Sequence, residues 1–240
     1  MSRTEIPDAG AGLRAFATDR SSQRLRGAFK AIWWGAAAAT ARLVARPGQP
    51  ASQAKPFSPK ADPAPEGFIR RAWLEAFEKD ARDVALGLYP PMQDRPTDPL
   101  GAFLRLTDVL LDARKVEARR RQGGGTQVRG DTPTGKAYPA YYRQNFHFQT
   151  GGWFTDQSAR RYDAQVETLF AGAGGAMRRR ALSLLAKAWM TRDHRGLALV
   201  DLACGAGGFL ADLAATFPRA QLTGLDLSYA YLQEAGRRAP

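Results

Sequence analysis

The stretch from Leu197 to Ser228, LALVDLACGAGGFLADLAATFPRAQLTGLDLS, constrains this chain more than any other. An apolar run, Leu197 to Val200, ends on an acid, Asp201. Small residues follow, Ala203-Cys204-Gly205-Ala206-Gly207-Gly208, and then an amphipathic run from Phe209 to Phe217. A second apolar run, Leu222 to Leu225, ends on a second acid, Asp226. Strand, glycine turn, helix, strand and acid, in that order, form the opening half of a nucleotide-binding α/β unit.

Each residue type has a physical reason. Gly205 and Gly207 let the backbone turn sharply and leave no side chain between main chain and ligand. The helix that follows points its first N–H groups into the turn. Asp226, at the carboxyl end of the second strand, is placed to accept hydrogen bonds from two neighbouring ribose hydroxyls. The implied ligand is an adenosine-bearing cofactor.

Spacing narrows the choice. A dinucleotide fingerprint needs a third small residue where helix and strand pack closely. Here that slot holds Leu210, which is too large. The chain has instead an acid ahead of the turn, in the pattern D-x-A-x-G-x-G from Asp201 to Gly207. This resembles motif I of the class I S-adenosylmethionine-dependent methyltransferases, and GLDLS resembles their second motif. Ala203 departs from that pattern, which usually has glycine there. The resemblance implies S-adenosylmethionine as cofactor, with Asp201 at its methionine end, Ala203, Gly205 and Gly207 in the turn, and Asp226 on the ribose. It implies in-line transfer of a methyl group to a small-molecule or lipid-like acceptor, without a metal.

The run from Tyr141 to Arg179 resembles the segment ahead of motif I in a group of bacterial and cyanobacterial class I methyltransferases. Within it, Tyr162-Asp163 match a Tyr-Asp pair that helps close over the cofactor in related enzymes, against the alternative of a helix packed on the sheet. Tyr138 to Thr155 is dense in aromatics interleaved with polar groups, a composition suited to lining a small-molecule pocket or stacking on bases. His147, among them, is the candidate acid or base, and a structural histidine is the competing reading. His194 lies in a charged connection and is expected to be solvated.

The 240 residues carry a net charge of +12, largely from arginine. Such a balance could favour RNA or an anionic membrane surface, but an Arg-rich protein with solvated faces is the favoured reading. The single cysteine, Cys204, permits no internal disulfide and points to a reducing, cytoplasmic setting. It sits in the turn as a small side chain rather than a nucleophile.

Along the chain, residues 1–67 read as a basic N-terminal arm with one helix and a Pro-rich linker over 47–66. The helix carries the stripe Leu25, Phe29, Ile32 or Trp33, Ala36, Thr40, and Leu43 or Val44. It suggests either docking through Trp33 and Trp34 or peripheral membrane contact over 25–46. Residues 68–137 read as a helical module, with helices over 68–88 (stripe Phe68, Trp73, Phe77, Val84, Leu88) and 100–121 (capped by Asp98). Their acids Asp80, Asp83, Asp108 and Asp112 are expected on solvated faces. Residues 138–240 combine the aromatic segment with the start of the catalytic domain. A helix is expected from Ser158 with Tyr162, Val166, Leu169 and Phe170 on its apolar face, and another over 229–238.

The fold class expected is α/β, the first two strands of a Rossmann-like methyltransferase sheet preceded by helices. Two parallel strands leave an open edge and an uncovered face, so we expect the N-terminal portion of a longer enzyme. Two alternatives compete: an NAD-dependent oxidoreductase, disfavoured by Leu210 and Asp201, and a non-enzymatic basic module for nucleic acid or membrane.

Overall fold

The computed structural model describes residues 20–44, 62, 64–91, 99–121, 138–143 and 150–238. It is α/β and mostly helical, with one two-stranded parallel sheet among the described residues. The helices are α1 (Arg20–Val44), α2 (Glu66–Ala85), α3 (Pro99–Arg121), α4 (Asp156–Leu169), α5 (Gly174–Ala188), α6 (Gly208–Thr216) and α7 (Tyr229–Arg238). Strands β1 (Ala198–Leu202) and β2 (Gln221–Leu225) flank α6 in sequence. They pair from Ala198 opposite Gln221 to Leu202 opposite Leu225. This arrangement is compatible with a Rossmann-like start.

The alternation of each strand sets two unequal faces. Leu199 and Leu222 face a core built from Val84, Leu88 and Tyr89 at the end of α2, Leu182 and Ala186 of α5, and Leu213 and Phe217 of α6. On the opposite side Val200, Leu202 and Leu225 are exposed.

Helix α1 docks through its tryptophans, but not on the stripe that periodicity suggests. Trp34 and Ala37 are buried against Val109 of α3 and Ala164 of α4, with Trp33 and Leu106 beside them. Leu25, Phe29, Ile32 and Leu43 lie on exposed ground. The small alanines let the helix axes approach closely around one large ring. Arg20 and Arg24 pair with Glu78, and Lys30 pairs with Glu167. The helix therefore presents less free positive charge than its composition suggests.

In α2, Trp73 meets Phe77 edge-to-face with centroids 5.1 Å apart, and its indole N–H donates to the Phe170 carbonyl at 3.2 Å. Val84 and Leu88 enter the core, whereas Phe68 at the start of the helix is exposed. The expected cap at Asp98 lies outside the described residues.

The acids of α2 and α3 correct the sequence reading. Asp83 is 1 % exposed and Asp112 5 %, so neither lies on a solvated face. Asp80 takes two hydrogen bonds of 2.7 Å from Arg179, and Tyr89 donates to it at 2.9 Å. Asp83 pairs with Arg180 at 3.3 Å. Asp112 and Asp108 both lie within 3.0 Å of the Arg161 guanidinium, and Asp112 also accepts from the Thr150 N–H. Helical periodicity counts apolar residues and treats charges as solvent-facing. Here arginines of α4 and α5 carry the complementary charge into the interface, which offsets the buried carboxylates.

Helix α4 begins two residues before Ser158, capped by Thr155, whose hydroxyl oxygen accepts from the Ser158 N–H at 3.2 Å. Its buried face is Ser158, Ala159, Arg161, Ala164, Glu167 and Thr168, while Leu169 and Phe170 are exposed. The polar members of this face are partnered: Ser158 with the Gly152 carbonyl and Tyr231, Glu167 with the Gly175 N–H and Lys30, Thr168 with the Ala164 carbonyl. The helix stops in a Schellman motif, Gly172 N–H to Glu167 carbonyl and Ala171 N–H to Thr168 carbonyl, with Ala171 left-handed. Gly172 is required next, because a Cβ there would stand 3.0 Å from Trp34 and 3.1 Å from the Lys30 carbonyl. Helix α5 then starts afresh. The run Arg178-Arg179-Arg180 hides its apolar period in the sequence, although Arg179 is buried on Asp80.

Candidate functional site

Because β1 and β2 are parallel, their carboxyl ends lie at one edge, which brings Asp201 and Asp226 together. Residues 203–207 cross between them in a tight path. Ala203, Gly205 and Gly207 all have positive φ, at 60°, 55° and 77°. The Cys204 N–H donates to the Leu225 carbonyl at 2.9 Å, tying the turn to β2. Asp226 completes the tie. One carboxylate oxygen accepts from the Gly205 N–H at 3.0 Å, and the other from the Ser228 N–H at 2.8 Å. The Tyr142 hydroxyl stands 3.5 Å from that second oxygen. A carboxylate has about four acceptor directions, so Asp226 holds the turn and keeps capacity for a ligand.

Ala203 sits in a left-handed conformation that costs an L-residue roughly 1–2 kcal/mol. Its side chain is exposed, so nothing packs on the methyl. Ala203→Gly is expected to raise unfolding stability by about 1 kcal/mol, read by urea denaturation.

The two turn glycines do different work. A Cβ on Gly207 would lie 2.7 Å from Ala235 Cα, so this glycine admits α7 rather than a ligand. Among the described residues, a Cβ on Gly205 would meet only Tyr231, at 4.0 Å. Gly205 is therefore the one whose bare backbone is open to an incoming group. Helix α6 follows with no side chain capping its first turn. Leu210 is accommodated because β2 offers Gly224 opposite it, where a Cβ would fall 2.4 Å from the leucine. Cys204 packs at the same place, and burial, with Asp226 and Asp201 nearby, pushes its thiol up, which keeps it protonated.

Aromatic residues wall the site on the Asp226 side. Tyr142 stacks between Tyr138 and Trp153, at centroid distances of 5.6 and 5.8 Å. Trp153 and Tyr162 each meet Tyr231 edge-to-face. Ser228 donates to the Trp153 carbonyl, which pins this wall to the end of β2. Burial first, and Asp226 second, push the Tyr142 hydroxyl up, so it stays a donor. Tyr162 is likewise raised by burial. Its neighbour Asp163 turns to Arg238 of α7 and clasps the two helices together.

Asp201 stands apart. One of its carboxylate oxygens is buried with no hydrogen-bond partner among the described residues. Burial raises its carboxyl and Asp226 adds to the rise, while Arg178 opposes it. Arg178, which the motifs do not flag, donates through Nε to Asp212 at 3.4 Å and lays its guanidinium over Gly208. The assembled site thus pairs an unsatisfied anion with a cation across an uncapped helix start.

Of the two histidines, His147 lies outside the described residues. His194 is not solvated as expected: its ring packs edge-on against Phe217 at 5.0 Å and contacts the Trp189 carbonyl. Among the described residues no cluster of His, Cys, Asp and Glu has metal-binding geometry, and no helix is long and apolar enough to cross a membrane.

One curated protein is similar over a short stretch. The malonyl-[acyl-carrier protein] O-methyltransferase of Legionella pneumophila is 45 % identical over 40 residues, covering 17 % of this chain and 14 % of that protein. The chain thus matches about one-seventh of the relative's length. No family model matches the chain, and no solved structure matches it significantly.

Proposed function

We propose that this chain binds S-adenosylmethionine at the carboxyl ends of β1 and β2 and serves a methyltransferase acting on a small-molecule or lipid-like acceptor. The observation that carries this reading is the orphaned, buried oxygen of Asp201 beside the open backbone of Gly205 and the carboxylate of Asp226. A cationic ammonium satisfies Asp201, a ribose hydroxyl takes the remaining acceptor direction of Asp226, and the glycine lets the backbone approach. The short O-methyltransferase match supports methyl transfer as the reaction class.

Bound S-adenosylmethionine supplies an already activated methyl group, so the protein's contribution is alignment and exclusion of water. Asp201 and Asp226 fix the two ends of the ligand. The stack of Tyr138, Tyr142 and Trp153 offers an apolar wall.

Asp201 links stability to pH in a defined direction. Its folded carboxyl is raised, so this group's contribution is favourable below its ordinary range and is lost as pH rises through the raised value. Asp201→Asn removes a half-buried charge. It is expected to melt higher than wild type at neutral pH in the absence of ligand, yet to bind S-adenosylmethionine about tenfold to a hundredfold more weakly. Scanning calorimetry and titration together check both halves.

The reading itself is tested by thermal shift. Saturating S-adenosylmethionine or its demethylated product should raise Tm, since about 100 Kd of ligand adds roughly 2.7 kcal/mol. NAD should leave Tm unchanged. A shift with NAD alone overturns the reading in favour of an oxidoreductase.

A further inference from the structure

We infer that the outward face of α1 is a docking surface for an anionic lipid bilayer, with the helix lying along the membrane plane. This face is separate from the turn between β1 and α6, and the inference stands or falls independently of the cofactor reading. Leu25, Phe29, Ile32, Ala36 and Leu43 recur at helical intervals and form one line along α1. The four large members of that line are 62–73 % exposed. At about 1.5 Å of rise per residue the line is roughly 27 Å long. Trp34 and Ala37 occupy the other side and are buried against α3 and α4. The helix is therefore apolar on two sides, and the core uses one of them. An apolar line of this length, left open, marks an interaction surface.

Charge selects what covers it. Arg24 and Arg26 stand one on each flank of Leu25, and both are exposed. Arg20 and Arg24 share a single carboxylate, Glu78, so one positive charge is left over at this end of the helix. The whole chain carries +12. A second copy laid on the stripe would set two strongly positive chains against each other. Nucleic acid would answer the arginines but gives Phe29 and Ile32 no apolar phase to enter. An anionic bilayer supplies both, phosphates at headgroup level for the arginines and the acyl boundary for the stripe. Among the described residues no helix is long and apolar enough to cross a membrane, so the contact is peripheral.

The test is co-sedimentation of the full chain with two kinds of vesicle, phosphatidylcholine alone and phosphatidylcholine mixed with phosphatidylglycerol. Wild type should bind the mixed vesicles at least about tenfold more tightly. The triple variant Leu25→Ser, Phe29→Ser, Ile32→Ser should lose about a hundredfold or more, and Arg26→Glu about tenfold. Leu184→Ser, an equally exposed leucine on α5, should bind as wild type does. Thermal unfolding of the triple variant should match wild type, because the replaced side chains lie in solvent, and this shows that the variant is folded. Failure of wild type to bind the mixed vesicles overturns the inference. So does binding that survives the triple substitution but disappears in high salt, the mark of a contact made by charge alone, as nucleic acid would make. A dimer in sedimentation velocity that the triple substitution dissolves, with no vesicle binding, assigns the stripe to a second copy and likewise overturns it.

Discussion

Asp80→Ala is expected to lower the stability of the protein by about 3–5 kcal/mol, the cost of removing one partner from a buried ion pair. Arg179 is only 3 % exposed and meets Asp80 through two hydrogen bonds of 2.7 Å. Without Asp80 its charge has been carried out of water with its main partner gone, and the Tyr89 hydroxyl loses its acceptor as well. The pair joins α2 to α5, next to the core that also supports β1 and β2. Urea denaturation of Asp80→Ala, Arg179→Met and the double variant checks the claim. The double variant should recover most of the loss, because an apolar replacement of a buried pair is often nearly neutral. Strict additivity of the two single losses would show that the residues act independently.

Gly207→Ala is expected to cost about 2–5 kcal/mol, combining roughly 1–2 for a left-handed alanine with about 1–3 for overpacking. The new methyl would fall 2.7 Å from Ala235 Cα, on a backbone that cannot swing aside as a side chain can. Gly205→Ala makes the contrast. Among the described residues its methyl meets nothing closer than 4.0 Å, so only the conformational cost of about 1 kcal/mol applies. Yet it places that methyl where the backbone is open to a ligand, and S-adenosylmethionine affinity should fall by about tenfold or more. Thermal unfolding and ligand titration of both variants separate a glycine that admits a helix from a glycine that admits a ligand. Equal destabilisation by the two would contradict this division.

That division shows where the sequence is legible. Strand, turn, helix and strand over 197–228 are marked by apolar runs ending on acids and by clustered small residues, and they form where that pattern puts them. Asp201 and Asp226 come together because parallel pairing leaves them at the same edge. What the pattern could not assign was the partner of each glycine, since Gly207 answers to Ala235 and Gly224 to Leu210, contacts set by tertiary packing. The ion pairs were hidden for a related reason. Asp80, Asp83 and Asp112 look like solvent-facing positions until the arginines of α4 and α5 are laid against them. Helix α5, with three consecutive arginines, hides its own apolar face in the same way, and no motif marks Arg178 within it. A lone arginine carries no spacing signal; only its position over Gly208 singles it out.

The most direct measurement is calorimetric titration of S-adenosylmethionine, its demethylated product and NAD into the wild-type chain and Asp226→Ala. Binding of the first two to wild type, weakened about tenfold or more when the carboxylate is removed, is the result expected of a lost charge-assisted hydrogen bond. Binding of NAD in their place, or binding of the demethylated product that is indifferent to Asp226, would contradict the assignment of this turn to S-adenosylmethionine.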